Sequence, residues 1–220
     1  GALHDGHRSL IRAARLQCDA LVVSIFVNPT QFAPTEDLTK YPRPIDKDRA
    51  LCRAEGVDIC YEPTARAMYP EGFQTTVTVP ALARRWEGAA RPHHFAGVAT
   101  VVTKLFGMVQ PHLALFGQKD YQQAVLVRQL VNDLNFGVAI LVRPTVRERD
   151  GLAMSSRNVY LSPDERLIAP LLFQALQAGG QMIVGGKSDV AAIERIMRQT
   201  IVREPTIHVE YLAVCDPDSL

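Results

Sequence analysis

Apolar residues along this chain switch repeatedly between two spacings, and the switches set the element order. Arg8 to Leu16 carries apolar residues at helical spacing, led in by Gly1-Ala2-Leu3-His4-Asp5-Gly6-His7. Ala20 to Val27 (ALVVSIFV) is almost wholly apolar and β-branched, as expected of a strand covered on both faces in a parallel sheet. Pro44 stands as the first residue of a helix to Glu55, and Gly56 closes it as a left-handed cap before a strand at Val57–Tyr61. Thr75–Val79 reads as a short strand and Pro80–Trp86 as a turn of helix. Val98, Val101, Val102, Leu105 and Met108 share one face of a helix over Gly97–Gln110 that Pro111 ends. A strand at His112–Phe116, a helix at Tyr121–Leu134 and a strand at Val138–Val142 complete the series. Five strands alternating with helices predict a parallel α/β sheet with short connections.

Beyond Pro144 the texture changes, which places a domain boundary near Thr145. Arg147–Asn158 is polar, with Gly151, Met154, Ser155, Ser156 and Arg157 in a composition suited to a phosphate loop. Ser162-Pro163-Asp164-Glu165 is a capping box that starts a helix to about Ala178, with Gly179 and Gly180 as its stop. Ser188 caps a further helix to about Arg203, and Ile207–Val214 alternates like a half-buried strand.

Charge narrows the partners. The 24 basic residues against 23 acidic ones leave a net charge of +1, with no block of one sign, which argues against nucleic acid or a membrane surface. Cys18, Cys52, Cys60 and Cys215 form neither a CxxC pair nor a zinc spacing, so reduced thiols in a cytoplasmic setting are expected. No signal peptide is visible, and no apolar run is expected to reach the roughly 18 residues that span a bilayer. There is neither G-x-G-x-x-G nor G-x-x-x-x-G-K-[ST], so dinucleotide and P-loop chemistry lose their main signatures.

The polar residues collect at element ends. His4 and His7 flank Gly6 at a helix start, where a flat ligand approaches the backbone and phosphates meet the positive end of the helix. Two histidines so spaced equally serve as caps, so the remaining clusters decide. Asn28 and Gln31 follow the first strand, in a loop that Pro29 and Pro34 keep out of regular structure. Gly117 to Gln123 follows the fourth strand, and Met154–Arg157 lies beyond the boundary. Imidazoles, Lys119, Arg157 and two serines suit a triphosphate, because nucleotidyl transfer is mostly positioning and charge neutralisation. Gln31 and Gln123 are neutral and bidentate, suited to a hydroxylated carboxylate. His112 and His208 read as ordinary structural histidines, His94 as a possible helix cap and Trp86 as packing.

These motifs together resemble the pantothenate synthetase (pantoate:β-alanine ligase) family. They stand at Gly1–His7 (GALHDGH), Phe26–Phe32 (FVNPTQF), Tyr41–Arg43, Met68–Pro70, Glu87–Phe95 (EGAARPHHF), Phe116–Gln123 (FGQKDYQQ) and Ser155–Asn158 (SSRN), and the likeness runs the length of the chain. The histidine signature is shared more widely with nucleotidyltransferases and class I aminoacyl-tRNA synthetases. The resemblance implies an α/β fold: a Rossmann-like parallel-sheet domain over 1–145 that binds ATP and pantoate, and a smaller α+β C-terminal domain over 146–220 that closes over the site. It implies that pantoate attacks the α-phosphorus of ATP, giving pantoyl adenylate and pyrophosphate, and that β-alanine then displaces AMP. By the same resemblance His4, His7, Lys119 and Arg157 are catalytic, with His7 a proton donor. Gly1, Ala2, Leu3, Asp5, Gly6, Gly117, Gln118, Asp120, Val146 (through its backbone), Met154, Ser155 and Ser156 complete the ATP site with them. Gln31 and Gln123 take pantoate with Asn28 beside them, magnesium accompanies ATP, and the enzyme is a homodimer.

Three positions depart from the family pattern. Gln118 stands where Glu is usual, His93 fills a variable slot before the matching His94, and Lys47 between Asp46 and Asp48 leaves no protein carboxylate assigned to magnesium. Two other functions remain as alternatives: a nucleotidyltransferase acting on a phosphorylated small molecule, disfavoured by the glutamine pair, and a non-catalytic binding module, disfavoured by the polar clusters. Because His4 lacks a strand ahead of it and Asp216–Leu220 reads as a turn, the sequence also predicts an internal fragment truncated at both ends. Such a fragment is expected to fold poorly and to be inactive.

Overall fold

The computed structural model describes residues 2–220, so Gly1 and its predicted ATP contact lie outside the described residues. Contacts divide the chain into two compact units, Gly1–Thr145 and Val146–Leu220.

In the first unit α1 (Asp5–Arg15) precedes β1 (Val22–Ser24), followed by α2 (Ile45–Ala54), β2 (Ile59–Tyr61) and α3 (Ala65–Met68). α4 (Glu87–Ala90), α5 (His94–Val109), β3 (Leu113–Gly117), α6 (Tyr121–Asp133) and β4 (Ala139–Arg143) follow. The strands pair in parallel as β1 with β2, Val22 opposite Ile59, and β3 with β4, Leu113 opposite Ala139. The α/β class with parallel strands is the one expected, but the strands are shorter than the apolar runs that announced them. Ala20–Val27 contributes three paired residues, because apolar burial outruns the stretch that holds a ladder partner. Thr75–Val79 forms no strand at all. Val77 and Val79 pack on the core while the Val77 N–H goes to the Thr100 hydroxyl at 3.0 Å, so a helix side chain takes the place of a ladder.

α5 supplies much of the core: Phe95, Val98, Ala99, Val101, Val102 and Phe106 are buried against Leu126, Val127 and Leu130 of α6. Met108, placed on that face by its spacing, is half exposed. The helix begins at His94 instead of Gly97, which makes Gly97 an interior contact. His93, and not His94, occupies the cap position. Trp86 precedes α4 with φ +42°, a left-handed backbone rarely taken by a bulky residue, and it joins none of the core clusters.

The second unit holds α7 (Pro163–Ile168), α8 (Leu171–Val184) and α9 (Val190–Ile201). The Ser162–Glu165 capping box forms as read. Gly179 and Gly180 do not stop the helix: α8 runs through them, because a Cβ at Gly179 would meet the Met197 sulfur at 2.7 Å and its absence lets α9 close in. Asp189, not Ser188, caps α9 by accepting from the Ala192 N–H at 3.2 Å. Ile207–Val214 buries Ile207, Val209, Leu212 and Val214 on the α8–α9 core without pairing as a strand. Since the glycines do not interrupt it, Pro163–Val184 spans 22 residues, and an 18-residue window within it has mean hydropathy 1.4, the length and composition of a membrane span by those measures alone. That corrects the expectation that no stretch would. A turn at Ala169–Pro170 breaks it, and Ala175 packs on Ile193 and Met197.

Candidate active site

The His4–His7 stretch is a capping box made of two imidazoles. His4 caps α1, its Nδ1 accepting from the Gly6 N–H at 3.1 Å, while the His7 Nδ1 accepts the His4 N–H at 3.3 Å. An imidazole nitrogen that accepts carries no proton, so each neutral ring bears its hydrogen on Nε2. The rings lie 4.1 Å apart between centroids. Burial and, second, the charge of the His4 ring push His7 down to about 4; burial and Lys119 lower His4 as well. Both are therefore neutral at pH 7 and offer Nε2–H as hydrogen-bond donors.

Lys119 and Asp120 act electrostatically on both imidazoles, so the two stretches, more than 100 residues apart in sequence, meet at one place in the first unit. Gly117 ends β3 opposite Arg143, and the exposed Gln118–Asp120 turn leads into α6 at the carboxyl end of that strand, where open α/β sheets bind ligands. Lys119 Nζ lies 3.2 Å from Asp120 in an ion pair open to solvent.

Gln31 sits in a 3-10 turn (Pro29–Gln31) held from several sides. Asn28 is 2 % exposed, and its side chain is fully engaged. It donates to Gln31 Oε1 at 3.0 Å and the Gly97 carbonyl at 3.1 Å, and accepts from Thr30 and, at 2.8 Å, from the Tyr69 hydroxyl. Asn28 therefore aims Gln31 and has no capacity left for a substrate. The Gln31 carbonyl takes an Arg91 N–H and faces His94 Nδ1, both at 3.1 Å, which puts the His94 proton on Nδ1. Arg91 also pairs with Glu36 and Glu87, tying this loop to α4. Gln123, half-buried in the first turn of α6, has no side-chain partner among the described residues.

In the second unit Arg147 and Ala153 form an antiparallel bridge, and the Val146 carbonyl accepts the Met154 N–H at 3.0 Å. Ser155 caps the 3-10 turn Ser156–Tyr160 through the Arg157 N–H, and the Arg157 side chain is exposed.

The sequence reading missed Asp48, Arg91 and Glu148. Arg91 lies inside a quoted motif and was legible to that extent. Asp48 reaches across 45 residues to the Leu3 N–H, which no local spacing reveals. It binds the Ala2 and Leu3 N–H groups, so those two residues of the predicted ATP site have no N–H left to offer phosphate.

A family model, pantoate-beta-alanine ligase, matches residues 1–220. A pantothenate synthetase of Chloroflexus aggregans is 52% identical over 220 residues, spanning 100% of this chain and 79% of that protein. The one from Chlorobium luteolum is 49% identical over 219 residues, 100% and 77%. The crystal structure of pantothenate synthetase from Thermus thermophilus superposes with TM-score 0.97 at 50% identity, covering 100% of this chain and 80% of that one. That of a Francisella tularensis pantoate-beta-alanine ligase complexed with beta-gamma ATP and β-alanine gives TM-score 0.78 at 36% identity, covering 91% and 75%. A parallel α/β unit with paired imidazoles beside a lysine, in a sequence about half identical to the Chloroflexus, Chlorobium and Thermus proteins along its whole length, belongs to the pantoate–β-alanine ligase family, whose members join pantoate to β-alanine with ATP.

Proposed function

We propose that the ligation runs through a pantoyl adenylate. A pantoate carboxylate oxygen attacks the α-phosphorus of ATP, the bond to the β-phosphate breaks and pyrophosphate leaves. The β-alanine amine then attacks the acyl carbon and AMP departs. The observation that carries this reading is the imidazole pair: both Nδ1 atoms are tied to backbone, leaving two neutral Nε2–H donors beside the Lys119 cation. Such preorganised donors stabilise charge that grows on pyrophosphate oxygens without reorganising as it leaves. Gln31 and Gln123 take pantoate, and Gly117–Asp120 the nucleoside. Val146 and Met154–Arg157 of the second unit supply further ATP contacts by the resemblance.

Magnesium is assigned to ATP. No protein carboxylate is assigned to it, and no step is routed through the ion. A homodimer in the cytoplasm completes the reading, resting on the resemblance and, for the compartment, on four free cysteines. Labelled pyrophosphate should exchange into ATP with pantoate alone. Exchange that also required β-alanine would exclude a free-standing adenylation step.

A further inference from the structure

We propose that Asp48 is the positioning residue for the phosphate-binding imidazoles, acting through the backbone ahead of α1. Asp48 is only 1 % exposed, on the buried side of α2, yet it is a carboxylate. Its two oxygens take the N–H groups of consecutive residues, Ala2 at 2.8 Å and Leu3 at 2.7 Å. Ala2 has φ +58°, a left-handed backbone that costs an L-residue energy unless its surroundings enforce it. The clamp enforces it at the two residues before the His4 cap, and so fixes where α1 starts and where both imidazoles face.

A second tie holds the same two helices at another level. Glu55, just past the end of α2, binds Arg8 and, at 2.7 Å, Arg12 of α1. Glu55 fixes the body of α1, whereas Asp48 fixes the segment that carries His4. A carboxylate is needed because a group facing two N–H donors must accept twice, and an amide offers one acceptor and one donor. Asp48 touches no phosphate in this role; it sets the position of the groups that do.

This inference rests on the adenylate reading, so the test separates the two. Wild-type protein, Asp48→Asn and Asp48→Glu are assayed for pantoate-dependent ATP–pyrophosphate exchange, and separately for aminolysis of supplied pantoyl adenylate by β-alanine, which has no pyrophosphate to hold. Misplacing a positioned group by about 1 Å costs about 100-fold. Exchange should therefore fall about 10- to 100-fold in Asp48→Asn, while aminolysis stays within about 2-fold of wild type. Asp48→Glu keeps two acceptors and the charge but displaces them by a methylene. It should show the same split while still melting cooperatively, which covers the case in which the asparagine variant does not fold. Equal losses in both half-reactions would reduce Asp48 to a structural role, and unchanged exchange would exclude any role. Absence of exchange in the wild type would instead remove the adenylate reading.

Discussion

His7 illustrates how a single side chain can be legible in sequence as a residue and illegible as a chemical species. The spacing His-x-Gly-His announces a nucleotide site, but which nitrogen bears the proton depends on backbone N–H groups that exist only once α1 has formed. Its folded pKa of about 4 lies below the unfolded value of 6.5, so the native state favours the neutral ring. Above pH 6.5 both states are neutral and nothing is lost. As pH falls from 6.5 towards 4 the unfolded chain binds the proton first, and His7 removes up to about 3 kcal/mol of stability, at 1.36 kcal/mol per pKa unit. Urea melts between pH 7 and 4 should therefore show the wild type losing stability faster than His7→Gln across that window. Parallel curves would mean that the ring titrates alike in the folded and unfolded chain, and so is not held neutral by the fold. Asn28 carries the same lesson: its sequence position beside Gln31 suggested a ligand contact, whereas five hydrogen bonds make it the support for that contact.

Elements read well from the sequence where periodicity and caps agreed, and poorly where alternation stood alone. α6 and the Ser162–Glu165 cap appear as read because their signals are local. Thr75–Val79 and Ile207–Val214 failed as strands because alternation reports which side chains are buried, while a strand also needs a partner backbone that spacing cannot supply. Gly179 and Gly97 were misjudged for a related reason: a glycine inside a helix can mark a close approach as readily as an end. At Gly97 a Cβ would lie 2.4 Å from the Thr30 carbonyl oxygen, which packs the Pro29–Gln31 turn directly on α5. Gly97→Ala must push that turn away, at a cost of about 1 to 3 kcal/mol for overpacking. Because Asn28 also bonds the Gly97 carbonyl, the displacement passes to Gln31. Calorimetry should show pantoate binding at least 10-fold weaker in a folded Gly97→Ala protein, with ATP affinity near wild type. Loss of ATP affinity in equal measure would separate Gln31 from the pantoate site.

At the scale of the molecule, the division at Thr145 rests on contacts, and the composition change at Pro144 pointed to the same stretch because Arg147–Asn158 gives up apolar residues where the first core ends. From sequence, Gly151 and the small polar residues make Arg149–Asn158 a candidate for a lid that closes over phosphates. The second unit gives it a different mechanical character. Glu148 binds the Asn158 amide at 3.1 Å and Arg166 of α7 at 2.6 Å, and Arg166 also reaches Asp150. Arg147 lies over the Phe173 ring at 3.9 Å, and a Cβ at Gly151 would strike that ring at 2.3 Å. The two ends of the loop are thus fastened to each other and to the helices behind them. A segment braced in this way is held to α7 through Arg166 and to α8 through Phe173, so it does not move freely of either helix. Local opening at Arg149 or Arg157 requires breaking the Glu148 contacts first. Trypsin should therefore cut the wild-type loop slowly even without ligand, and Glu148→Ala, which leaves Arg166 one carboxylate and the Asn158 amide one acceptor fewer, should cut there at least 10-fold faster with the remaining fragments still folded. Rapid cleavage of the wild-type loop, suppressed only by ATP and pantoate together, would restore the flexible lid and overturn the braced one.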